Sequence, residues 1–142
     1  MSLRGAVDVA ATALSAQRLR MELASANMAN SETTRTPEGG PYRRRIAVFE
    51  SEPAIVSARA RREGRVPGGV HVSKIQADDA PPALRYQPGH PDANPEGYVA
   101  YPNINATAEM IDMLSAARSY EAGITVIKTV RQLSQATLNL VR

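Results

Sequence analysis

Residues 24–45 read ASANMANSETTRTPEGGPYRRR, and the change of character inside this stretch decides the architecture of the chain. Ala24 to Asn30 continue a helix, with Asn27 and Asn30 three apart near its end. Ser31 to Thr36 offer side-chain oxygens that hydrogen-bond a chain leaving a helix. Pro37 then blocks any return, and Gly39, Gly40 and Pro41 form an elbow. Tyr42, Arg43, Arg44 and Arg45 open an extended segment.

The same punctuation divides the rest of the chain. All ten prolines lie between Pro37 and Pro102, and seven of the nine glycines between Gly39 and Gly97. Proline inside a helix costs about 3 kcal/mol, so only the two flanks can form long helices. The expected organisation is an N-terminal assembly helix over 1–31, a Pro/Gly-rich middle segment of strands and loops over 32–104, and a C-terminal assembly helix over 105–142. The fold class is α+β, with the two long terminal helices packed as a coiled-coil-like pair around a turn-rich insert.

In the first flank Val7, Leu14, Met21 and Met28 recur every seven residues, with Leu3, Ala10, Ala13 and Ala24 on the same broad face. That spacing marks a helix packed along another helix. The second flank carries Met110, Met113, Ala117, Tyr120, Ile124, Ile127, Leu138 and Val141 at the same alternating three-four spacing, broken at Arg131 and Ser134. Asn105-Ala106-Thr107 supplies capping chemistry at its start. A helix of this length spans roughly 50 Å at about 1.5 Å per residue. Leu19, Leu23, Leu114, Val126 and Leu140 fall outside one seam, so two helices alone leave apolar surface for further partners.

Between the flanks, Tyr42–Phe49, Ala54–Ala58, Gly69–Ile75, Ala83–Tyr86 and Gly97–Tyr101 are predicted strands, separated by Pro-Gly and Gly-Gly pairs.

Composition narrows the function classes. The formal net charge is +3, but lysine plus arginine exceed aspartate plus glutamate by one in each of 1–30, 31–105 and 106–142, so no segment is a polycation. There is no cysteine, hence no disulfide or thiolate chemistry. The first thirty residues lack a signal-peptide pattern, and no stretch approaches the length of a membrane span. His71 and His90 are the only histidines and, with Asp78, Asp79 and Asp92, match no metal-ligand spacing. No Gly-x-Ser-x-Gly elbow and no glycine-rich phosphate loop is present. The expectation is a non-enzyme without cofactor, metal or small-molecule substrate. A nucleic-acid-binding module using the Arg43–Arg45 strand and the basic loop around Arg59, Arg61, Arg62 and Arg65 is the alternative, weakened by the lack of interleaved aromatics.

Specific motifs carry a resemblance. Ala13-Leu14-Ser15-Ala16-Gln17-Arg18-Leu19 followed by Ser25-Ala26-Asn27-Met28-Ala29-Asn30 resembles the rod and hook proteins of the bacterial flagellar axis, with Met28 where they usually have Ile or Leu. Thr34-Arg35-Thr36-Pro37-Glu38-Gly39-Gly40-Pro41-Tyr42-Arg43-Arg44 is similar to the proximal-rod branch of that family and not to its hook relatives. So is Tyr86-Gln87-Pro88-Gly89-His90-Pro91-Asp92-Ala93 with Glu96-Gly97-Tyr98-Val99. Pro102-Asn103-Ile104-Asn105, Met110-Ile111-Asp112-Met113 and Ala117-Arg118-Ser119-Tyr120-Glu121-Ala122 match its C-terminal helix. Ser57 to Gly68 matches no family motif.

The resemblance implies structural work. Such a subunit is exported through the flagellar type III apparatus without a cleaved signal, and assembles in the rod of the basal body within the periplasm. Its partners are copies of itself, other rod proteins and the adaptor at the membrane ring. The terminal helices then line the axial channel and the middle segment forms the outer wall. Tyr42, Arg43, Arg44 and Arg45 are expected to make polar contacts between subunits.

Overall fold

The computed structural model describes residues 3–51 and 68–140. Along the chain these form α1 (Leu3–Ala29), β1 (Arg45–Ser51), β2 (Val70–Ala77), β3 (Ala83–Tyr86), β4 (Tyr98–Tyr101) and α2 (Ala106–Leu140). The expected strand over Ala54–Ala58 and the basic loop at Arg59–Arg65 lie outside the described residues, as does Val141.

α1 and α2 pack antiparallel. Asn27 meets Glu109, Arg20 meets Asp112 and Leu14 lies against Gly123, a register that runs the length of the pair. The centre of the seam is small: Ala16, Ala24 and Ala116 are buried, and a Cβ on Gly123 would sit 2.8 Å from Cδ2 of Leu14. Small residues let the two backbones approach. The larger predicted seam residues Val7, Leu14, Met21, Met28, Met113, Tyr120, Ile124 and Ile127 flank this line and are half-buried.

Two of the predicted seam and assembly positions are exposed in the single chain. Met110 is 52% exposed, because the neighbouring Glu109 takes the inward place. Leu138 is 69% exposed, because α2 has eight more residues than α1 and runs past it.

The α2 start behaves as a capped helix should. Asn105 Oδ1 accepts the backbone N–H groups of Thr107 at 3.0 Å and Ala108 at 3.2 Å, two of the donors a first turn leaves unpaired. At the end of α1, Asn30 Nδ2 donates to the Ala26 carbonyl at 2.9 Å and Ser31 Oγ to the Met28 carbonyl at 2.8 Å.

The strands form two separate antiparallel pairs, β1 with β2 and β3 with β4. The β1–β2 register slips between Val48 and Phe49, leaving Ser73 as the extra residue on β2. Where β2 begins, the Val70 N–H donates to Thr12 Oγ1 at 3.2 Å, and any Cβ on Gly69 would lie 2.9 Å from that oxygen. The predicted strand at Tyr42 starts later, at Arg45. Tyr42, Arg43 and Arg44 lead into it instead, because their side chains turn back onto the helices or out to solvent.

Candidate assembly joint

A polar node joins the helix pair to the middle segment. At its centre Asn27 is 1% exposed. Its Oδ1 accepts the Arg45 N–H at 2.9 Å and the Tyr42 hydroxyl at 3.1 Å. Its Nδ2 donates to the Arg45 carbonyl and to Glu109 Oε2, both at 3.0 Å. Glu109, 2% exposed, receives Arg44 Nε at 2.5 Å on its other oxygen. Arg44 also lies 3.8 Å from Asp112, which holds Arg20 of α1 at 2.8 Å. Burial pushes the Tyr42 hydroxyl above its ordinary pKa and the Glu109 charge adds to this, while Arg45 opposes it.

Asn27 reaches across from the last turns of α1 to β1 and α2. Tyr42 and Arg44 are spent within the chain, because a carboxylate as buried as Glu109 requires a partner. Arg43 is exposed and 3.7 Å from Asp79, and the Arg45 guanidinium lies over the Tyr42 ring at 5.8 Å.

The elbow is a closed loop. The Tyr42 N–H donates to Thr33 O at 3.0 Å, Thr36 N–H to Gly40 O at 2.9 Å, and Gly39 N–H to Thr36 O at 3.0 Å. Gly39 and Gly40 have φ of +91° and +74°, the left-handed region that glycine occupies at least cost. Pro37 is exposed at its tip and Pro41 half-buried at its base.

A second clasp fastens this elbow to the β3–β4 loop. Thr34 Oγ1 donates to Asp92 Oδ2 at 2.8 Å, Arg35 pairs with the same carboxylate, and the Asp92 N–H donates to His90 Nδ1 at 3.1 Å. The Thr34 hydrogen bond holds the Asp92 carboxyl below its usual range, against partial desolvation and with help from Arg35 and His90. The two stretches that resemble the proximal-rod branch, 34–44 and 86–99, therefore touch.

Glu109, Asp112, Arg20, Thr34 and Asp92 were not predicted as site residues. A carboxylate in the first turn of a helix is ordinary dipole chemistry, so Glu109 gave no local signal of its role. Among the described residues no cluster of three or more His, Asp or Glu could hold a metal, and no helix is long and apolar enough to cross a membrane.

Known proteins match both ends of the chain. A family described as "Flagella basal body rod protein" matches residues 8–35, which hold most of α1 and the start of the elbow. One described as "Flagellar basal body rod FlgEFG protein C-terminal" matches residues 96–140, from β4 through α2. Both ends of the chain thus carry the sequence of structural proteins of the flagellar basal body. "Flagellar basal-body rod protein FlgC" of Yersinia enterocolitica is 41% identical over 99% of this chain and 98% of its own length. The protein of that name from Borreliella burgdorferi is 40% identical over 100% and 99%, and that from Bacillus subtilis 39% over 94% and 95%. The chain belongs to the FlgC family of flagellar basal-body rod proteins.

Proposed function

We propose that this chain is a subunit of the proximal rod, assembling helically with copies of itself and other rod proteins around the axial channel and passing torque toward hook and filament. The observation that carries the reading is how little the chain buries alone. Among the described residues the buried apolar side chains are Ala16, Ala24, Val99, Tyr101 and Ala116. Against these stand exposed large apolar residues on every element except α1, including Phe49, Ile75, Leu84, Ile111, Leu114, Val126 and Leu133. At about 25 cal/mol per Å² of apolar surface, covering these by neighbours is the main gain available to the fold.

A thin core also suits passage through the flagellar type III apparatus, since an unfolded chain passes more readily than a stable one. After export the helix pair would face the channel in the periplasmic rod, with the β segment outside and the membrane-ring adaptor at the base. The node and the clasp would hold the two layers at a fixed angle, which torque transmission requires. The nucleic-acid reading loses its strand, because Arg44 is committed to Glu109 and Asp112.

The test uses the bacterium of origin with Met21→Asp or Ile124→Asp replacing the wild-type chain. Each puts an unpaired charge at the helix seam. The expected result is loss of motility and absence of the chain from isolated basal bodies. Normal swimming with the variant incorporated would contradict the seam. A wild-type chain missing from isolated basal bodies would contradict the rod reading itself.

A further inference from the structure

An open apolar face and an exposed leucine lie at opposite ends of the molecule. In the β3–β4 pair Leu84 faces Ala100 and Tyr86 faces Tyr98, so these four share one side of the hairpin. Val99 and Tyr101 take the other side and are buried. The first side is open: Leu84 is 65% and Tyr86 66% exposed, and the Tyr86 and Tyr98 rings meet edge-on at 5.3 Å. An antiparallel pair with one wet face normally turns polar residues outward; this one presents an aliphatic and two aromatic side chains.

At the far end, α2 outruns α1. With Asn27 level with Glu109 and Leu14 with Gly123, Leu3 is level with Ser134, and among the described residues no part of α1 covers the turns beyond. Leu138 is exposed there, on the side of α2 that carries Lys128 and Arg131.

The charges of the two ends are complementary. From Gly123 to Leu140 the helix carries Lys128 and Arg131 and no carboxylate. The loop Gln87–Gly97, which joins Tyr86 to Tyr98, carries Asp92 and Glu96 and no lysine or arginine. Asp92 is held by Arg35, while Glu96 is open to solvent.

We propose that the open β3–β4 face receives the distal end of α2 from a second copy of this chain. Leu138 would lie on Leu84, Tyr86 and Tyr98, with Lys128 and Arg131, which share its side of α2, beside the acidic loop. One chain cannot make this contact with itself, because β4 enters α2 at its start and a 35-residue helix separates the two ends by roughly 50 Å. The contact is heterologous and so repeats from copy to copy. It rests on the rod reading above.

Because the chain has no cysteine, single thiols report the contact directly. Chains bearing Leu84→Cys and Leu138→Cys are co-expressed, basal bodies isolated and oxidised. The expected product is a disulfide-linked dimer of the two variants, absent when Leu138→Cys is replaced by Ser119→Cys. Glu96→Lys alone, or Lys128→Glu with Arg131→Glu, should lower the dimer yield at least threefold, and combining them should restore it. Basal bodies containing both cysteine chains but no such dimer would overturn the contact and leave the rod reading standing. Failure of the charge swap to restore the yield would likewise overturn it. Absence of even the wild-type chain from basal bodies would remove both.

Discussion

The side-chain amide of Asn27 pairs with the backbone of Arg45 as a neighbouring strand would, accepting its N–H at 2.9 Å and donating to its carbonyl at 3.0 Å. The remaining proton of that amide goes to Glu109 and the remaining lone pair to the Tyr42 hydroxyl. An amide has two donors and two acceptor sites, and here all four are used. A residue in the last turn of α1 thereby also starts the strand and fastens α2.

Asn27→Ala should therefore destabilise far more than a helix-end residue normally does. It removes the partner of the part-buried Arg45 N–H and one of the two side-chain partners of the buried Glu109, at about 1–3 kcal/mol for a buried group left unpaired. Urea unfolding of the purified chain, followed by far-UV circular dichroism, should show a loss of about 2–4 kcal/mol. Asn27→Asp should lose more, because it faces the Glu109 carboxylate. Asn30→Ala, which removes one bond to the Ala26 carbonyl, should lose about 1 kcal/mol or less.

Arg44→Met leaves the Glu109 carboxylate buried with only Asn27 to meet it, a loss of about 3–5 kcal/mol where a buried pair is broken. Adding Glu109→Leu should return most of it, since a buried ion pair replaced by apolar groups is often nearly neutral. The double-mutant cycle from the same unfolding curves measures this coupling. Two additive single losses would mean the pair does not act as one unit.

The Asp92 clasp has a defined pH window. Its folded pKa is lowered, so its contribution is complete above the ordinary carboxylate range, near about 3.9, and fades as pH falls through the lower folded value. Tyr42 is shifted the other way: its folded pKa is raised, so the benefit of its neutral hydroxyl holds below about 10 and is lost as pH climbs through the folded value. Asp92→Asn should flatten the acid limb of a stability-against-pH curve, and Tyr42→Phe the alkaline limb. Unchanged limbs would contradict both assignments.

Gly97→Ala should disturb the β3–β4 hairpin. Gly97 has φ +84°, and an added Cβ would lie 2.8 Å from Tyr86 Cε2 and 3.2 Å from Pro88 Cβ. Strain of this kind costs about 1–3 kcal/mol. Gly89→Ala, with nothing within 4 Å of its added Cβ, should stay within about 0.5 kcal/mol. Thermal unfolding of the two variants side by side checks the contrast.

The sequence shows the two long helices and the turn-rich insert, because proline exclusion and seven-residue spacing are local signals. Ala83–Tyr86 is found as predicted for the same reason. The node was not legible. That Asn27 reaches Arg45 and Glu109 depends on three segments meeting, and nothing in the spacing of ANMAN or YRRR says so. The arginines are expected between subunits, whereas Arg44 precedes the strand and finds a buried carboxylate within the chain. Met110 is exposed in the single chain for a related reason. A pattern of apolar residues favours methionine over the adjacent glutamate, yet Arg44 and Asn27 make Glu109 the inward residue.

The most direct test of the account is a cryo-EM map of basal bodies from the bacterium of origin, at a resolution that shows side chains. The account predicts this chain in the proximal rod, its antiparallel α1–α2 pair toward the channel, and Asn27 bridging Arg45 and Glu109 beneath an outward β segment. A rod without this chain, or one in which α1 and α2 part and Asn27 contacts neither residue, would contradict it.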